Sequence, residues 1–423
     1  MLNKNRGKIV ININNILFTI MFIIHVTTFV TRIVDIPGWS SICFFIICIG
    51  DIFFLSYYIK QKKMNKLLIV TIIFFSYFLI PTIFTCPNEL MLCLTRTIRR
   101  ISFMLLIIYL FDVFSVERVV NILMQVVEVL NYVNLFFMIL YPNGMYHSVT
   151  GIYGDEVIRN TGTFVRTGTT RVHWLLGHQT VLIKFILPAL CISILYSYIV
   201  KGSNRLVIRS KLLIFVCLIE TIIANSATNY LVIALVCGIY LVQKIKFRID
   251  IKYIFVGILM LYAFFYFTAN DEWLNSFLEW LSNIMGRRVI ISSRIVVWNN
   301  TISTWLDSII LGQGYLNESN IEIWKRLSLG NPHSSFLWIL FEGGVIAFAI
   351  FVYYLWICCK NNFKYLYNDI AIIIHSIFVS AFIAMITDDY IFRDSFFLIL
   401  FALSYYIPKF VECSEMKNGE NNV

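Results

Sequence analysis

Long unbroken apolar runs dominate this chain, separated by short polar segments. They cover residues 9–30, 41–59, 67–85, 98–114, 123–141, 180–200, 212–225, 228–243, 253–269, 334–356, 370–387 and 395–409. Such runs suit helices crossing about 30 Å of hydrocarbon, and none alternates as a membrane strand would. The pattern predicts an all-α polytopic membrane protein with about 12 transmembrane helices, folded as one integral membrane domain over 1–423. The first run lacks a small-residue cleavage site and leads directly into further spans, so it reads as an anchor. Spans 212–225 and 228–243 are short and joined by Asn225-Ser226-Ala227-Thr228-Asn229-Tyr230. This polar apex is either an ordinary external turn or the tip of a broken hairpin entering a wet cavity. No internal repeat is evident, which counts against carriers built from two matched halves.

Composition agrees, with 59% apolar residues and only 14% charged. The lysine-rich loops 60–66, 201–211 and 244–252, with Lys4, Arg6 and Lys8, alternate as cytoplasmic under the positive-inside rule. Both termini then face the cytoplasm, and two large external loops remain, 142–179 and 270–333. Neither is low in complexity, so both are candidates for folded elements. Within the second, 294–308 is amphipathic at helical spacing, with Arg294 and Trp298 four residues apart and Ser292 and Ser293 placed as caps. Such a helix suits the membrane surface.

On this topology lysine falls inside except for Lys184 and Lys325, whereas arginine collects outside. The external arginines cluster as Arg96, Arg99 and Arg100; as Arg159, Arg166 and Arg171; and as Arg287, Arg288 and Arg294. A guanidinium recognises phosphate and carboxylate in a bidentate plane and is more weakly hydrated than an ammonium. An anionic ligand at the outer leaflet fits this segregation; pairing with Asp155, Glu156, Glu279 or Asp307, or with lipid headgroups, is the structural alternative.

Of the histidines, His147, His173, His178 and His333 lie in the external loops. Imidazole is suited to proton transfer near neutral pH, but His333, just past Asn331-Pro332, equally fits a helix start. Asp51 and Glu220 stand within spans, where a carboxyl marks either a pathway or a neutral group paired with an amide. The external tryptophans Trp174, Trp273, Trp280, Trp298, Trp305 and Trp324 suit the interfacial belt or a sugar face. Cys86 and Cys93 share an outer loop, close enough in sequence for a disulfide. There is no metal-ligand spacing and no phosphate-binding glycine loop or nucleotide fingerprint, so no metal, cofactor or nucleic-acid partner is expected. An external reaction would need a donor carrying its own leaving group.

In order along the chain stand Thr161-Gly162-Thr163-Phe164, Gly177-His178-Gln179, Ser293-Arg294-Ile295-Val296-Val297-Trp298, Leu311-Gly312-Gln313-Gly314-Tyr315, Pro332-His333 and Gly343-Gly344. With the spans and a late external loop, this order resembles the O-antigen polymerase and ligase family of bacterial envelope glycan assembly. The detailed likeness covers 160–185 and 285–345. That family has Arg-x-x-x-Trp before a Gly-x-Gly, then a His with ten residues between it and a Gly, the spacing of His333 and Gly344. It often has Asn after this His, where Ser334 stands here, so the amide's hydrogen bond would come from Ser334, Ser335 or Asn331.

The resemblance implies a metal-independent glycosyltransferase acting on an undecaprenyl-pyrophosphate-linked oligosaccharide at the outer face of the bacterial cytoplasmic membrane. His333 would be the catalytic base. Arg294, with Arg166, Arg171 and Arg100, would bind the pyrophosphate; Trp298, Ser334, Glu342 and Gly344 would support the site. A polysaccharide polymerase is the preferred reading, since polymerases vary more in sequence and the likeness here is patchy; a ligase for another acceptor is the alternative. A non-enzymatic flippase or carrier, or a scaffold among polysaccharide export proteins, is the reading from another class. The topology predicts that cysteine introduced at Asn317 or Asn331 is labelled by an impermeant thiol reagent from outside. Labelling from the cytoplasm alone would overturn it.

Overall fold

The computed structural model describes residues 18–25, 39–62, 64–148, 171–202, 205–245, 251–268, 276, 280, 290–316, 332–360, 362–386, 388–389, 391 and 395–420. The principal elements in chain order are α1 (18–25), α2 (Trp39–Gln61), α3 (Lys66–Tyr77), α4 (Leu79–Thr85), α5 (Leu90–Val113), α6 (Val116–Leu140), β1 (Tyr146–Ser148), β2 (Arg171–Trp174), β3 (Gly177–His178), α7 (Ile183–Leu195), α8 (Ile208–Ala224), α9 (Ala227–Lys244), α10 (Ile251–Thr268), α11 (Ile290–Leu306), α12 (Ser335–Cys359), α13 (Asp369–Ala384), α14 (Ile399–Tyr405) and α15 (Ile407–Glu420).

Helix thus falls on each of the apolar runs. Among the described residues five helices are long and apolar enough to cross a membrane: Ser41–Gln61, Lys66–Thr85, Val116–Leu140, Ile183–Val200 and Ser335–Cys359. A sixth follows if Phe396–Tyr405 and Ile407–Lys417, bent by 62°, are one span. The architecture is a helical membrane protein with fewer full-length spans among the described residues than the twelve expected. Several apolar helices are simply short, Asp369–Ala384 and Thr228–Lys244 among them.

Caps set several boundaries. Asn65 accepts from Leu67 N at 2.9 Å to start α3, and Asn368 does the same for α13 through Ile370 N at 2.9 Å. α8 ends at Asn225, which is left-handed (φ 44°). Beyond that apex the chain diverges: α8 packs on α6 and α7, whereas α9 packs on α13. The apex is anchored where buried Asn229 donates to Gln179 O at 2.9 Å. Glu220 takes the amide-paired alternative, accepting from Asn134 Nδ2 at 2.6 Å; Asn134 Oδ1 in turn accepts from Leu176 N at 3.0 Å. Asp51 accepts from the Ser102 hydroxyl.

Part of the first long loop forms a small antiparallel sheet in the order β1-β2-β3, with Tyr146 opposite His173 and His173 opposite His178. Trp174 roots it, fully buried and donating to Tyr141 O at 2.9 Å. This sheet is the one departure from all-α structure among the described residues.

α11 begins at Ile290, so Ser292 and Ser293 lie inside the helix and not at its cap. Its described face toward the protein is Trp298, Thr301 and Thr304, while Leu306, Ile309 and Ile310 just beyond are exposed. The threonine hydroxyls are satisfied on their own helix, bonding Val297 O and Asn300 O at 2.7 Å each. The described part of α11 thus packs on the protein through Trp298, Thr301 and Thr304. Cys86 and Cys93 are both free thiols; Cys86 lies against Gln313 O at 3.6 Å and Cys93 against Phe78 O at 3.7 Å, so their side chains point to different neighbours.

The feature that organises this region is a break in α12. Gly344 has φ 65° and ψ −165°, outside helical space, which removes the hydrogen bonds that Val345 and Ile346 would make to Phe341 and Glu342. Each freed group has a partner in the segment following α11. Gln313 N donates to Phe341 O at 2.6 Å and Gly314 N to Glu342 O at 3.1 Å; Val345 N donates to Ile309 O at 2.9 Å and Ile346 N to Ile310 O at 3.5 Å. The two backbones come so close that a Cβ on Gly312 (φ 80°) would lie 2.6 Å from Gly343 N. A Cβ on Gly344 would lie 2.2 Å from Ile310 O. Gly312→Ala and Gly344→Ala are each predicted to lower the thermal midpoint of the purified protein, by about 2 kcal/mol or more in stability from left-handed backbone plus overpacking. Ile309→Ala, on the exposed side of the same strap, should leave it nearly unchanged.

Candidate functional site

α12 starts in a turn that fixes His333. Ser334 is the N-cap, extended, with Oγ accepting from Leu337 N at 3.5 Å. His333 stands just before it at φ 43°, an uncommon backbone state that persists where the surroundings over-determine it. Three neighbours do so. Trp298 Nε1 from α11 donates to Pro332 O at 2.9 Å. Ser335 N donates to Met385 O at 2.9 Å and to Asp388 O at 3.1 Å, and Ser335 Oγ bonds Asp388 O at 3.0 Å. Tyr262 from α10, buried, shares a hydrogen bond with Ser334 Oγ, donates to Ile386 O at 3.2 Å, and stacks edge-on against Trp298 with ring centroids 5.3 Å apart. Three helices and the turn after α13 therefore converge on the backbone turn that carries His333, a residue of intermediate exposure.

A second centre lies seven residues further along α12, about 10 Å by helical rise. Glu342 is fully buried and meets Arg96 of α5 in a bidentate pair, with Nη1 to Oε1 at 2.9 Å and Nη2 to Oε2 closing the fork. Glu342 Oε1 also accepts from Leu316 N at 2.8 Å. The Arg96 guanidinium lies 4.3 Å from the Tyr315 ring centroid. Burial pushes the Tyr315 phenol up, against the opposing pull of Arg96. The fork, the ring and the Leu316 amide bind the strap to α5 as well as to α12.

The structure thus brings together His333, Trp298 and Ser334 in one turn, and joins Glu342 and Gly344 in the neighbouring centre. Arg100 is buried within the scaffold: its Nε donates to Ile391 O at 3.0 Å and its Nη1 to Arg96 O at 2.9 Å. Arg294 stands four residues before Trp298 on α11 and Arg171 opens β2; for both, the described part is the backbone. Arg166, Thr161-Gly162-Thr163-Phe164 and Asn331 lie outside the described residues. Where the resemblance leads one to expect Asn, Ser334 caps the helix and bonds Tyr262. Sequence reasoning passed over Tyr262, one tyrosine in an apolar run, and the Arg96–Glu342 pairing. The only signal for the latter was a lone carboxylate beside Gly-Gly in an apolar span. Among the described residues no group of His, Cys, Asp and Glu is arranged to hold a metal ion.

Fold and site together define a multi-pass helical membrane protein with a broken helix and a strained histidine at the head of the same span. Residues 211–352, about a third of the chain, match the family model described as O-antigen ligase. No curated protein matches the sequence. The matched stretch runs from α8 into α12 and holds Tyr262, Arg294, Trp298, the Gly312–Gly314 strap, His333 and Glu342. It bears out the resemblance drawn from the order of those motifs. Arg96 lies outside it.

Glu342→Leu is predicted to destabilise the protein by about 3–5 kcal/mol, because Arg96 keeps its charge and loses its carboxylate. Combining it with Arg96→Met should recover most of that loss, falling short by about 1 kcal/mol for the Leu316 hydrogen bond. Thermal midpoints and the yield of monodisperse protein read both; a single variant as stable as wild type would show the pair to be dispensable.

Proposed function

We propose that the protein transfers a glycan from a polyprenyl-pyrophosphate donor to a sugar hydroxyl at the outer face of the bacterial cytoplasmic membrane, with both chain termini on the cytoplasmic side. The observation that carries this reading is the turn at Pro332-His333-Ser334, strained, clamped by Trp298 and Tyr262, and contained in the stretch that matches the O-antigen ligase family. In the reaction an acceptor oxygen attacks the anomeric carbon, the bond from that carbon to the phosphate oxygen breaks, and the lipid pyrophosphate leaves. His333 accepts the acceptor's proton. Arg294, with Arg166 and Arg171, stabilises the charge that develops on the pyrophosphate, and Trp298 and Ser334 position the imidazole. Arg100, held by Ile391 O and Arg96 O, positions the arginine-bearing end of α5.

We read the chain as a polymerase, whose acceptor is another lipid-linked repeat unit; a likeness confined to a third of the chain is what a variable polymerase would give. The match to the O-antigen ligase family favours the second reading, a ligase that moves finished glycan to a different acceptor. His333→Ala at matched membrane abundance should nearly abolish transfer, and Arg294→Lys should fail to restore what Arg294→Ala loses, since an ammonium lacks the guanidinium fork. The length distribution of lipid-linked glycan reads the outcome. Single repeats accumulating on the outer leaflet support the polymerase, and long lipid-linked chains that never reach an acceptor support the ligase. Normal polymer in His333→Ala would remove the histidine from the chemistry, and glycan retained on the inner leaflet would mean a carrier.

A further inference from the structure

At the end of the bundle opposite His333, α3 and α12 run antiparallel and leave an outward-facing groove of about 370 Å3. One wall is Lys66, Ile69, Val70 and Ile73 of α3, and the other is Tyr353, Trp356, Ile357 and Lys360 at the end of α12. Both walls follow the i, i+3, i+4, i+7 spacing of a single helix face, and each carries its lysine at the same end. The floor is closed by Val70 and Ile357, both about 5% exposed or less, while Ile73, Tyr353 and Trp356 stand 50%, 54% and 63% exposed. Beneath it the helices are locked by Phe74 against Phe351 and Tyr354, with centroids 5.5 and 5.8 Å apart.

The charge at the mouth is uncompensated among the described residues. Among the described residues neither Lys66 nor Lys360 has a carboxylate partner. The carboxylate beside this end, Asp112, receives Asn65 Nδ2, the Tyr58 hydroxyl and the Tyr406 hydroxyl at 2.9 to 3.2 Å. Nearby Asp369 is taken by Lys244. Two free ammonium groups thus flank the start of an apolar slot about 10 Å long by helical rise, which lies within one leaflet's depth.

We propose that this groove binds one anionic phospholipid, its phosphate between Lys66 and Lys360 and an acyl chain lying between the two side-chain rows. Paired cations at the rim select a net negative headgroup, since each is worth about 1 kcal/mol near an anionic surface, and the slot beneath requires a hydrocarbon chain. Tyr353 and Trp356 flank the chain where amphipathic rings are favoured. The site is independent of the glycan-transfer reading.

The full-length protein, stripped of residual lipid in detergent, is titrated with phosphatidylglycerol, phosphatidylcholine or inorganic phosphate, and thermal midpoint and intact-complex mass are followed. Wild type should retain one phosphatidylglycerol and gain stability from it, with little response to phosphatidylcholine or to phosphate. Lys66→Gln with Lys360→Gln should weaken phosphatidylglycerol binding about thirty-fold, the loss of two such charges. Lys66→Arg with Lys360→Arg should keep it, which controls for a glutamine variant that folds poorly. An equal response to phosphatidylcholine, protection by inorganic phosphate alone, or unchanged binding in the glutamine variant would overturn the proposal. A mass of two chains with no lipid response would assign the groove to a second copy instead.

Discussion

A helix that breaks inside a membrane protein exposes backbone groups with no water to receive them, and this constraint shapes the part of the bundle around Gly344. The break at Gly344 frees two carbonyls and two amides of α12, and the segment from Ile309 to Gly314 supplies one partner for each. Such satisfaction is the condition on which interrupted spans are tolerated. It explains why two glycine motifs distant in sequence occur together: the strap approaches α12 so closely that neither backbone has room for a side chain. Buried Glu342 then fixes the arrangement laterally, accepting from Leu316 on the strap and from Arg96 on α5.

The break and the histidine turn are two ends of one short rod. Between Ser335 and Gly343 α12 is held at the top by Trp298, Tyr262 and the turn after α13, and at the bottom by the strap. α11 spans both attachments, since Trp298 touches Pro332 while the residues after Leu306 form the strap. A displacement at the Arg96–Glu342 centre would reach the imidazole through α11 as well as through α12. The motif residues therefore divide by place: the glycines and Glu342 build the support, and His333 stands in the turn at its head.

Much of this fold was legible in the sequence, because apolar runs at membrane length leave few alternatives to helix. The runs at 41–59, 67–85 and 334–356 became α2, α3 with α4, and α12 almost unchanged. Hydropathy could not reveal which helices are full spans, since Asp369–Ala384 is as apolar as longer neighbours and is set in length by its cap at Asn368 and its end at Met385. Nor could it show that Thr301 and Thr304 of α11 would be buried beside Trp298, since each hydroxyl is satisfied on its own helix. In the candidate site, the motif order drew attention to His333, Trp298, Gly344 and Glu342, but it gave no sign that Glu342 pairs with Arg96 and not with Arg100. Both arginines lie on α5 one turn apart, and only packing against α12 decides between them. Tyr262 carried no signal, since its role depends on a helix from elsewhere in the chain meeting Ser334.

The Arg96–Glu342 contact joins residues 246 positions apart. A ribosome adding about 5–20 residues per second needs roughly 12–50 s to cover that interval. Until α12 has been made, the Arg96 guanidinium lacks this carboxylate, so the late helix, by delivering Glu342, determines when the fork that joins it to α5 can close.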